Sequence, residues 1–449
     1  MQKLLSSKIV IISIIALMLL IPLSMISEKI SERSKYLTQA KNSVALSWTT
    51  AQKIVGPIIV IPYSFQQKQE VYDPKTNERS IKLISRFEKT LMKVDRLTID
   101  SKINNEVRYK GIYKVPVYTT TIDIKAEIDQ KSLARVLGDI KKSAEAVQLG
   151  KAYLMTGISD PRGINSIPSL NWLKQKIAFN PGSKLRASSN GIHAYLPNLD
   201  KITTDINFDF QLELRGMEEL SFVASAQQAI IKVKSSWPHP QFTGMFLPTS
   251  RTVSATGYEA EWKITSFASN IAEKLQLCGN GQCADLLSSS FGIKHIEAVD
   301  VYLQSERSIK YGFLFIGLTF IAFFIFETVK KLPIHAIQYT LVGSAIAIFY
   351  LLLVSLSEHI SFSLAYLIAT FCCVALLLYY LRYVLGGFKL ALIFSTSLAV
   401  LYGLLFVIIS AEDFAFLMGG FLTFITLGVV MVSTRNIDWY QENNPAKAD

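Results

Sequence analysis

The chain has 449 residues, of which 50% are hydrophobic and 18% are charged, and its formal net charge is +11 at neutral pH. Nearly all of the positive excess lies within residues 28–310, which hold 38 basic and 28 acidic residues. A basic surface can face anionic lipid or an acidic partner. The basic residues are scattered and form no nucleic-acid recognition motif, which argues against a nucleic-acid partner.

The first predicted element is a membrane helix over residues 9–26, after a short cytoplasmic N-terminus of residues 1–8. The segment IVIISIIALMLLIPLSMI carries no charge and is long enough to cross a bilayer. Lys3 and Lys8 precede it, which also suits a signal peptide, but no cleavage site of small residues follows. The charged sequence SEKISERSKYL reads as a continuing helix, so the sequence predicts an uncleaved anchor.

Residues 27–310 are predicted to form a large β-rich domain that begins with a helix. The helix is predicted over residues 27–54, where Gly56 and Pro57 end it. Strand patterns follow without a repeated alternation of strands and long helices, which favours an antiparallel sandwich or elongated sheet over a parallel α/β sheet. A short helix is predicted over 132–136. The predicted strands are 58–63, 81–87, 93–99, 107–113, 115–128, 152–158, 191–195, 205–214, 218–224, 229–234 and 257–264.

Five further membrane helices are predicted in the C-terminal part of the chain, which gives an α-helical bundle of about six. Each segment is close to the roughly 20 residues that cross about 30 Å of hydrocarbon. A backbone in that environment must pair its polar groups internally, so each segment is expected to be a helix. The segments are 311–329, 337–356, 362–381, 388–409 and 414–432, and a cytoplasmic tail of residues 433–449 follows.

The positions of Lys and Arg predict the orientation of these helices. With the N-terminus inside, the short outer loops carry Glu358–His359 and Glu412–Asp413 and no basic residue. The sequence therefore predicts a multi-pass protein of the bacterial inner membrane, surrounded by lipid, with both termini cytoplasmic and residues 27–310 in the periplasm. The basic residues at the cytoplasmic ends are Lys3, Lys8, Lys330, Lys331, Arg382, Lys389 and Arg435.

Cys278 and Cys283 frame the segment CGNGQC in the predicted periplasmic domain. An oxidising periplasm favours a disulfide between them. The alternative is a metal site with remote histidines, which the spacing of four intervening residues disfavours. Cys372 and Cys373 lie within a predicted membrane helix and are interpreted as packing residues.

The chain shows no nucleophile elbow, no zinc-protease motif and no phosphate-binding glycine loop. Its five histidines have no partner at metal-ligand spacing. The sequence therefore predicts no enzyme activity, no cofactor and no metal. The centres of the predicted spans read as almost purely apolar, which argues against a proton-coupled pump but allows a carrier of lipidic cargo.

Two short clusters of charged residues are candidate binding sites. In SDPRG, the simpler interpretation is a turn in which Asp160 bonds backbone amides and Gly163 supplies a positive φ. The alternative is a ligand site formed by Asp160 and Arg162. Glu358 and His359 lie at the outer end of a membrane helix, where ionisable groups are functional candidates because their desolvation is costly.

A third candidate is the segment SWPHPQFTGMFLP. Its prolines fix an extended backbone and present His239 between them. Trp237, Phe242 and Phe246 could bind a partner together with His239. Alternatively, the three rings fold back and form a rigid aromatic clasp on the core of the domain.

Several segments of the chain resemble the CreD family of bacterial inner-membrane proteins. The stretches WPHP and LSEH are the specific ones, and CGNGQC is not part of the resemblance. The matching segments are VGPIIVIPY (55–63), SDPRGI (159–164), SSWPHPQFTGMFLP (235–248), YGFLFIGLTFIAFFIFE (311–327), HAIQYTLVG (335–343), FYLLLVSLSEH (349–359) and TRNIDWY (434–440).

The resemblance implies a cell-envelope integrity protein that is produced in a stress response under a two-component system and is associated with colicin tolerance. It carries over no catalytic residue. The leading hypothesis is that the exported domain binds an envelope component, either a protein or a glycolipid. The alternatives are a transporter or flippase of an envelope lipid or amphiphile, and a sensory accessory of a membrane histidine kinase.

Overall fold

The chain forms two compact units in a computed structural model that describes residues 2–73, 78–185, 189–296, 301–330, 334–410 and 415–435. The helical unit comprises Met1–Thr38 and Val299–Asp449, and the β domain comprises Gln39–Ala298. The predicted outer loop Glu412–Asp413, Lys331 and most of the predicted cytoplasmic tail lie outside the described residues.

The described helices follow hydropathy in the helical unit and amphipathic patterns in the β domain. They are α1 (Gln2–Met18), α2 (Leu20–Ser47), α3 (Gln130–Lys142), α4 (Ser266–Ser269), α5 (Ile271–Gly279), α6 (Ala284–Ser288), α7 (Val301–Lys310), α8 (Gly312–Lys330), α9 (Ala336–Ser357), α10 (Phe362–Val384), α11 (Phe388–Ser410) and α12 (Ala415–Thr434).

The described strands all belong to the β domain. They are β1 (Gln52–Asp73), β2 (Glu78–Met92), β3 (Val94–Lys110), β4 (Tyr113–Ile128), β5 (Gln148–Leu149), β6 (Tyr153–Ile158), β7 (Ser169–Trp172), β8 (Gln175–Ala178), β9 (Asn180–Pro181), β10 (Gly191–Tyr195), β11 (Ile206–Met217), β12 (Glu219–Val223), β13 (Ala226–Ser235), β14 (Pro240–Gly244), β15 (Ser250–Ser254), β16 (Gly257–Thr265) and β17 (Phe291–His295).

The helical unit has the composition of a membrane protein. Among the residues that the structure describes, four helices are long and apolar enough to cross a membrane, namely Val10–Ser47, α9, α10 and α11. Helices α7 and α8 meet at a bend of 42° and would make a fifth if they form one broken span. Buried faces of α1, α2, α8, α9, α10 and α11 share one apolar core.

The β domain is a sandwich of two sheets that share one apolar core. Sheet A has the order β14-β17-β12-β1-β6-β10-β9, and β2 and β5 also pair with β1. Sheet B has the order β15-β16-β13-β3-β4-β11-β7-β8. Trp172 and Trp262 lie fully buried in the core. The β-rich sandwich that the sequence predicts is therefore present.

The expectation of purely antiparallel sheets is wrong at two places. Strand β1 pairs in parallel with β12, with Gln52 opposite Leu220, and β13 pairs in parallel with β3. Parallel neighbours need long connections rather than hairpins. These partners are far apart in the sequence, so the local residue pattern does not reveal their direction.

Two predicted boundaries also differ from the structure. The helix predicted over 27–54 ends at Ser47, and β1 begins at Gln52, after the β-branched pair Thr49–Thr50. The strand predicted at 93–99 and residues 107–110 of the strand predicted at 107–113 belong to the single strand β3, which pairs with β4. Between them, Lys102, Asn104 and Glu106 are exposed, whereas Ser101 and Ile103 are buried.

Candidate functional site

Asp160 and Arg162 form an ion pair at the C-terminal end of α2. The guanidinium donates to the Asp160 carboxylate from Nε at 2.9 Å and from Nη2 at 2.6 Å. It also donates to the Leu46 carbonyl at 2.9 Å, which is one of the last carbonyls of α2 and has no partner within the helix. The hydrogen bond from Arg162 holds the pKa of Asp160 below its usual value. All of these Arg162 hydrogen bonds are made to groups of the protein itself.

The same turn is tied to the start of β1. Gln52 is 1% exposed, and its amide donates to the carbonyls of Asp160 at 3.0 Å and Arg215 at 2.9 Å. Gly163 ends a 3₁₀ turn, and a Cβ there would collide with the Gln52 amide and the Arg215 carbonyl. The expected positive φ of Gly163 is therefore wrong, because close approach and not backbone handedness requires glycine.

Trp48, directly after α2, is a residue that sequence reasoning missed. Two guanidinium groups contact its ring, with the centroid 4.7 Å from Arg108 and 5.0 Å from Arg215. Such cation–π contacts stabilise an aromatic ring at a partly exposed position. Val44 and Val117 pack beside it. Together with the Asp160–Arg162 pair, these contacts form the α2 anchor, which fixes the end of α2 on the β domain.

Trp237, Phe242 and Phe246 are partly buried against the core of the sandwich. The Trp237 indole donates to the Ile296 carbonyl at 2.8 Å. The Phe242 ring lies 5.9 Å from the ring of Trp262. These contacts have the geometry of the aromatic clasp. His239 is exposed in this segment, and its role in binding stays a prediction.

His295 of β17 lies beneath this clasp. It is 3% exposed, and its Nε2 is 2.9 Å from the Tyr258 hydroxyl. The rings of Trp237 and Tyr118 contact it edge-on at 6.1 Å and 5.7 Å. Burial lowers the pKa of His295 to about 4. The imidazole is therefore neutral at ordinary pH.

An edge groove opens next to the clasp, where both sheets end. It is lined by Pro240, Gln241 and Phe242 of β14 and by Leu247, Arg251 and Val253, and it encloses about 550 Å³. The Arg251 guanidinium lies 5.6 Å from the centroid of the Phe242 ring. Leu247 is 69% exposed and Val253 is 50% exposed. The groove thus offers apolar side chains and one cation to a partner.

Cys278 and Cys283 are joined in a disulfide between α5 and α6, with their Cα atoms 4.1 Å apart. Both are buried, so these sulfurs are not free to hold a metal. Carboxylate oxygens of Glu127, Asp129 and Asp205 come within 4.8 Å of one another. Arg96 donates to Glu127 at 2.8 Å and lies 3.8 Å from Asp129, so a protein side chain offsets that negative charge.

In the helical unit, Glu358 pairs with Arg33 at 3.2 Å, which ties the end of α9 to α2. His359 is exposed. A second carboxylate, Glu327, is 6% exposed and accepts hydrogen bonds from Lys8 and, at 2.7 Å, from the Tyr339 hydroxyl. This pairing links α1, α8 and α9. The sequence does not reveal the ion pair, because Lys8 and Glu327 are 319 positions apart.

The interior of the helical unit is more polar than the sequence suggested. The Tyr366 hydroxyl donates to the Tyr402 carbonyl at 2.8 Å, and the Cys373 sulfur lies 3.2 Å from the Tyr402 hydroxyl. Tyr350 is fully buried and follows Phe349 in α9. The Phe349 ring lies 4.6 Å from that of Tyr402. Tyrosine and cysteine side chains thus form hydrogen bonds inside helices whose overall composition is apolar. Tyrosines within apolar segments were the available signal.

Comparisons with known proteins agree over nearly the whole chain. The model of a family described as "Inner membrane protein CreD" matches residues 4–440. The chain is 32% identical over 429 residues to Inner membrane protein CreD of Escherichia coli, which covers 96% of this chain and 92% of that protein. An M1 zinc metallopeptidase from Deinococcus radiodurans, solved with a bound peptide substrate, is similar over 38% of each chain, with 8% identity. Its TM-score of 0.18 is too low to carry an argument.

Proposed function

Because this chain belongs to the CreD family of inner membrane proteins, we propose that it supports cell-envelope integrity through an exported β domain that binds a partner polypeptide. In this proposal the helical unit crosses the inner membrane six times, with both termini in the cytoplasm and the β domain in the periplasm. Helix α12 supplies the sixth crossing. The basic residues Lys8, Arg382 and Lys389 at one set of helix ends support this orientation.

The observation that carries the binding proposal is the open edge of β15. Its five residues are all exposed, and it pairs on one side with β16. Within the described part of the chain, sheet B ends at this strand. An exposed edge strand is a template for another strand, and natural edges are blunted by short length, charged side chains, Pro or a bulge. The sequence SRTVS holds one Arg and neither Lys nor Pro.

The edge groove indicates the chemistry of the partner. Leu247 and Val253 offer exposed apolar contacts beside the half-buried ring of Phe242. Arg251 makes no ion pair within the described residues and would attract a carboxylate. An extended segment with alternating apolar side chains and an acidic residue fits these features when it adds to β15 as a strand. We therefore assign the partner as a polypeptide of the envelope.

In-cell photo-crosslinking tests this proposal most directly. A photoreactive amino acid at position 247 or 253 should capture one reproducible envelope protein, identified by mass spectrometry. Ile167 is 92% exposed elsewhere on the β domain and serves as the control position for non-specific capture. The same adducts from all three positions, or lipid adducts alone, would overturn the polypeptide assignment.

A matched pair of variants separates strand addition from general stickiness. Val253→Lys introduces the kind of charge that protects natural edges, whereas Val253→Thr keeps a β-branched side chain. We expect the lysine variant to lose most of the crosslink from position 247 and the threonine variant to keep it. Equal crosslinking in both variants would show that β15 does not pair with the partner.

A further inference from the structure

Two groups of hydroxyl side chains stand out in the helical unit. In the first group, eight hydroxyls bond to a carbonyl three or four residues earlier in their own helix. These are Ser24, Thr38, Thr319, Thr328, Thr340, Ser357, Ser397 and Thr423. The second group is buried and forms no hydrogen bond with any described residue. It consists of the hydroxyls of Ser305, Ser308, Tyr350, Thr370 and Ser395, together with Oε1 of Gln304.

Most of the second group lies towards one end of the helical unit. Tyr350 is seven residues before the end of α9 and Thr370 is eight residues after the start of α10, so each lies about 10–12 Å from neighbouring helix ends. Ser305 and Ser308 lie on α7, which packs against α9 and α11. A Cβ on Gly312, at the bend between α7 and α8, would lie 3.3 Å from the Tyr350 ring.

Polar contacts continue from this end towards the middle of the helices. The Tyr402 hydroxyl contacts the Cys373 sulfur, and the Tyr366 hydroxyl bonds to the Tyr402 carbonyl. Ser395 lies seven residues before Tyr402 on α11, which corresponds to about 10 Å along the helix. The unbonded groups therefore lie on α7, α9, α10 and α11, and the last two of these helices also carry the hydrogen-bonded Tyr366, Cys373 and Tyr402.

A buried hydroxyl without a partner destabilises a protein, and hydrocarbon cannot supply the missing bond. The described part of the β domain holds as many unbonded buried atoms, but five of the six in the helical unit lie towards one end of it, and this clustering points to a guest that both donates and accepts hydrogen bonds. None of the six side chains is charged, which disfavours a phosphate or another ionic guest. We propose that the interior between α7, α9, α10 and α11 binds neutral hydroxylic molecules, either water or the hydroxyl groups of a polyol.

Hydroxyl-radical footprinting of the full chain in lipid nanodiscs tests the proposal without any substitution. Radicals formed from bound water should oxidise Tyr350 and Tyr402 several-fold more than Phe323, a fully buried aromatic residue of the same core. Equal and negligible oxidation of all three would mean a dry core and would overturn the proposal. With glycerol present, a fall in Tyr350 oxidation relative to the exposed Tyr379 identifies a polyol guest. An unchanged ratio identifies water.

Phenylalanine variants give a second readout. In a dry core, Tyr350→Phe would remove an unpaired hydroxyl and raise the melting temperature. With a hydroxylic guest bound to that group, we expect a lower melting temperature and weaker oxidation of Tyr402. Tyr366→Phe is the matched control, because it removes a hydroxyl that donates to a carbonyl and lowers stability in either case. A clear rise in melting temperature for Tyr350→Phe would contradict the proposal.

Discussion

At the residue scale, His295 couples the stability of the β domain to pH. It lies between Tyr258 and Trp237, and burial lowers its pKa from 6.5 to about 4. The unfolded chain therefore takes up a proton as pH falls below 6.5, while the folded domain stays neutral until about pH 4. The contribution of neutral His295 to the free energy of unfolding is complete above pH 6.5. It is lost as the pH falls from 6.5 to about 4, by about 3 kcal/mol in total.

We expect the free energy of unfolding to be about 2 kcal/mol lower at pH 5 than at pH 7.5 because of His295. Urea unfolding followed by tryptophan fluorescence measures it. His295→Gln should remove this part of the pH dependence, whereas His239→Gln, which changes an exposed histidine of the same domain, should keep it. If the free energy of unfolding depends on pH equally in the unsubstituted protein and in both variants, His295 is not the source of the pH dependence.

The sequence predicted residue patterns but not residue partners. In β4 the alternation of apolar and polar residues marks the face that is buried, which includes Ile122 and Ile124. The burial of His295 depends on the pairing of β17 with β12 and β14, which no local pattern encodes. For the same reason, the sequence singled out Trp237 but not the histidine beneath it.

At the element scale, the end of α2 depends on the Asp160–Arg162 pair. Arg162→Met removes the cap on the last carbonyls of α2 and leaves the Asp160 carboxylate, which is 7% exposed, with hydrogen bonds from Thr50 but without its charged partner. The guanidinium is half exposed, which moderates the loss, so we expect a lower urea midpoint but a smaller change than for a fully buried ion pair. Arg162→Lys keeps the charge but cannot form the two parallel hydrogen bonds to Asp160. Its stability should therefore lie between that of Arg162→Met and that of the unsubstituted protein.

Limited proteolysis with urea unfolding measures this effect. Cleavage near Ser47 should accelerate in Arg162→Met well before the rest of the β domain becomes sensitive. Arg86 lies on an exposed part of β2, and Arg86→Met is the control for loss of a surface arginine. If the two methionine variants resist protease and urea equally, the α2 anchor does not stabilise the helix end.

Hydropathy located several helices of the helical unit, since a long apolar run is a strong local signal. The predicted segments 337–356 and 388–409 lie within α9 and α11. The end of α2 was misplaced because it depends on distant residues: the Trp48 ring contacts Arg108 of β3 and Arg215 of β11, and the Leu46 carbonyl accepts from Arg162. The edge groove was not foreseen, because it depends on β14 and β15 ending their sheets at neighbouring positions.

At the scale of the whole molecule, the proposed export of the β domain makes the disulfide a reporter of location. In a variant with Cys372 and Cys373 replaced by serine, Cys278 and Cys283 should resist alkylation in intact cells until a reductant is added. Loss of the bond should destabilise the β domain by about 2 kcal/mol, as expected for so short a loop. Free, alkylated thiols in otherwise healthy cells would place the domain in the cytoplasm and contradict the proposed topology.

The pairing of Lys8 with Glu327 has a consequence for how the protein is made. The two residues are 319 positions apart, so at bacterial rates of synthesis Lys8 waits on the order of tens of seconds for its carboxylate to emerge. During that time the later helices that Ile15 and Leu19 contact in the finished core do not yet exist. Biogenesis therefore has to hold the first helix in place while the β domain folds. If a signal peptidase removed that helix, the finished helical unit would contain the buried Glu327 carboxylate without its partner Lys8.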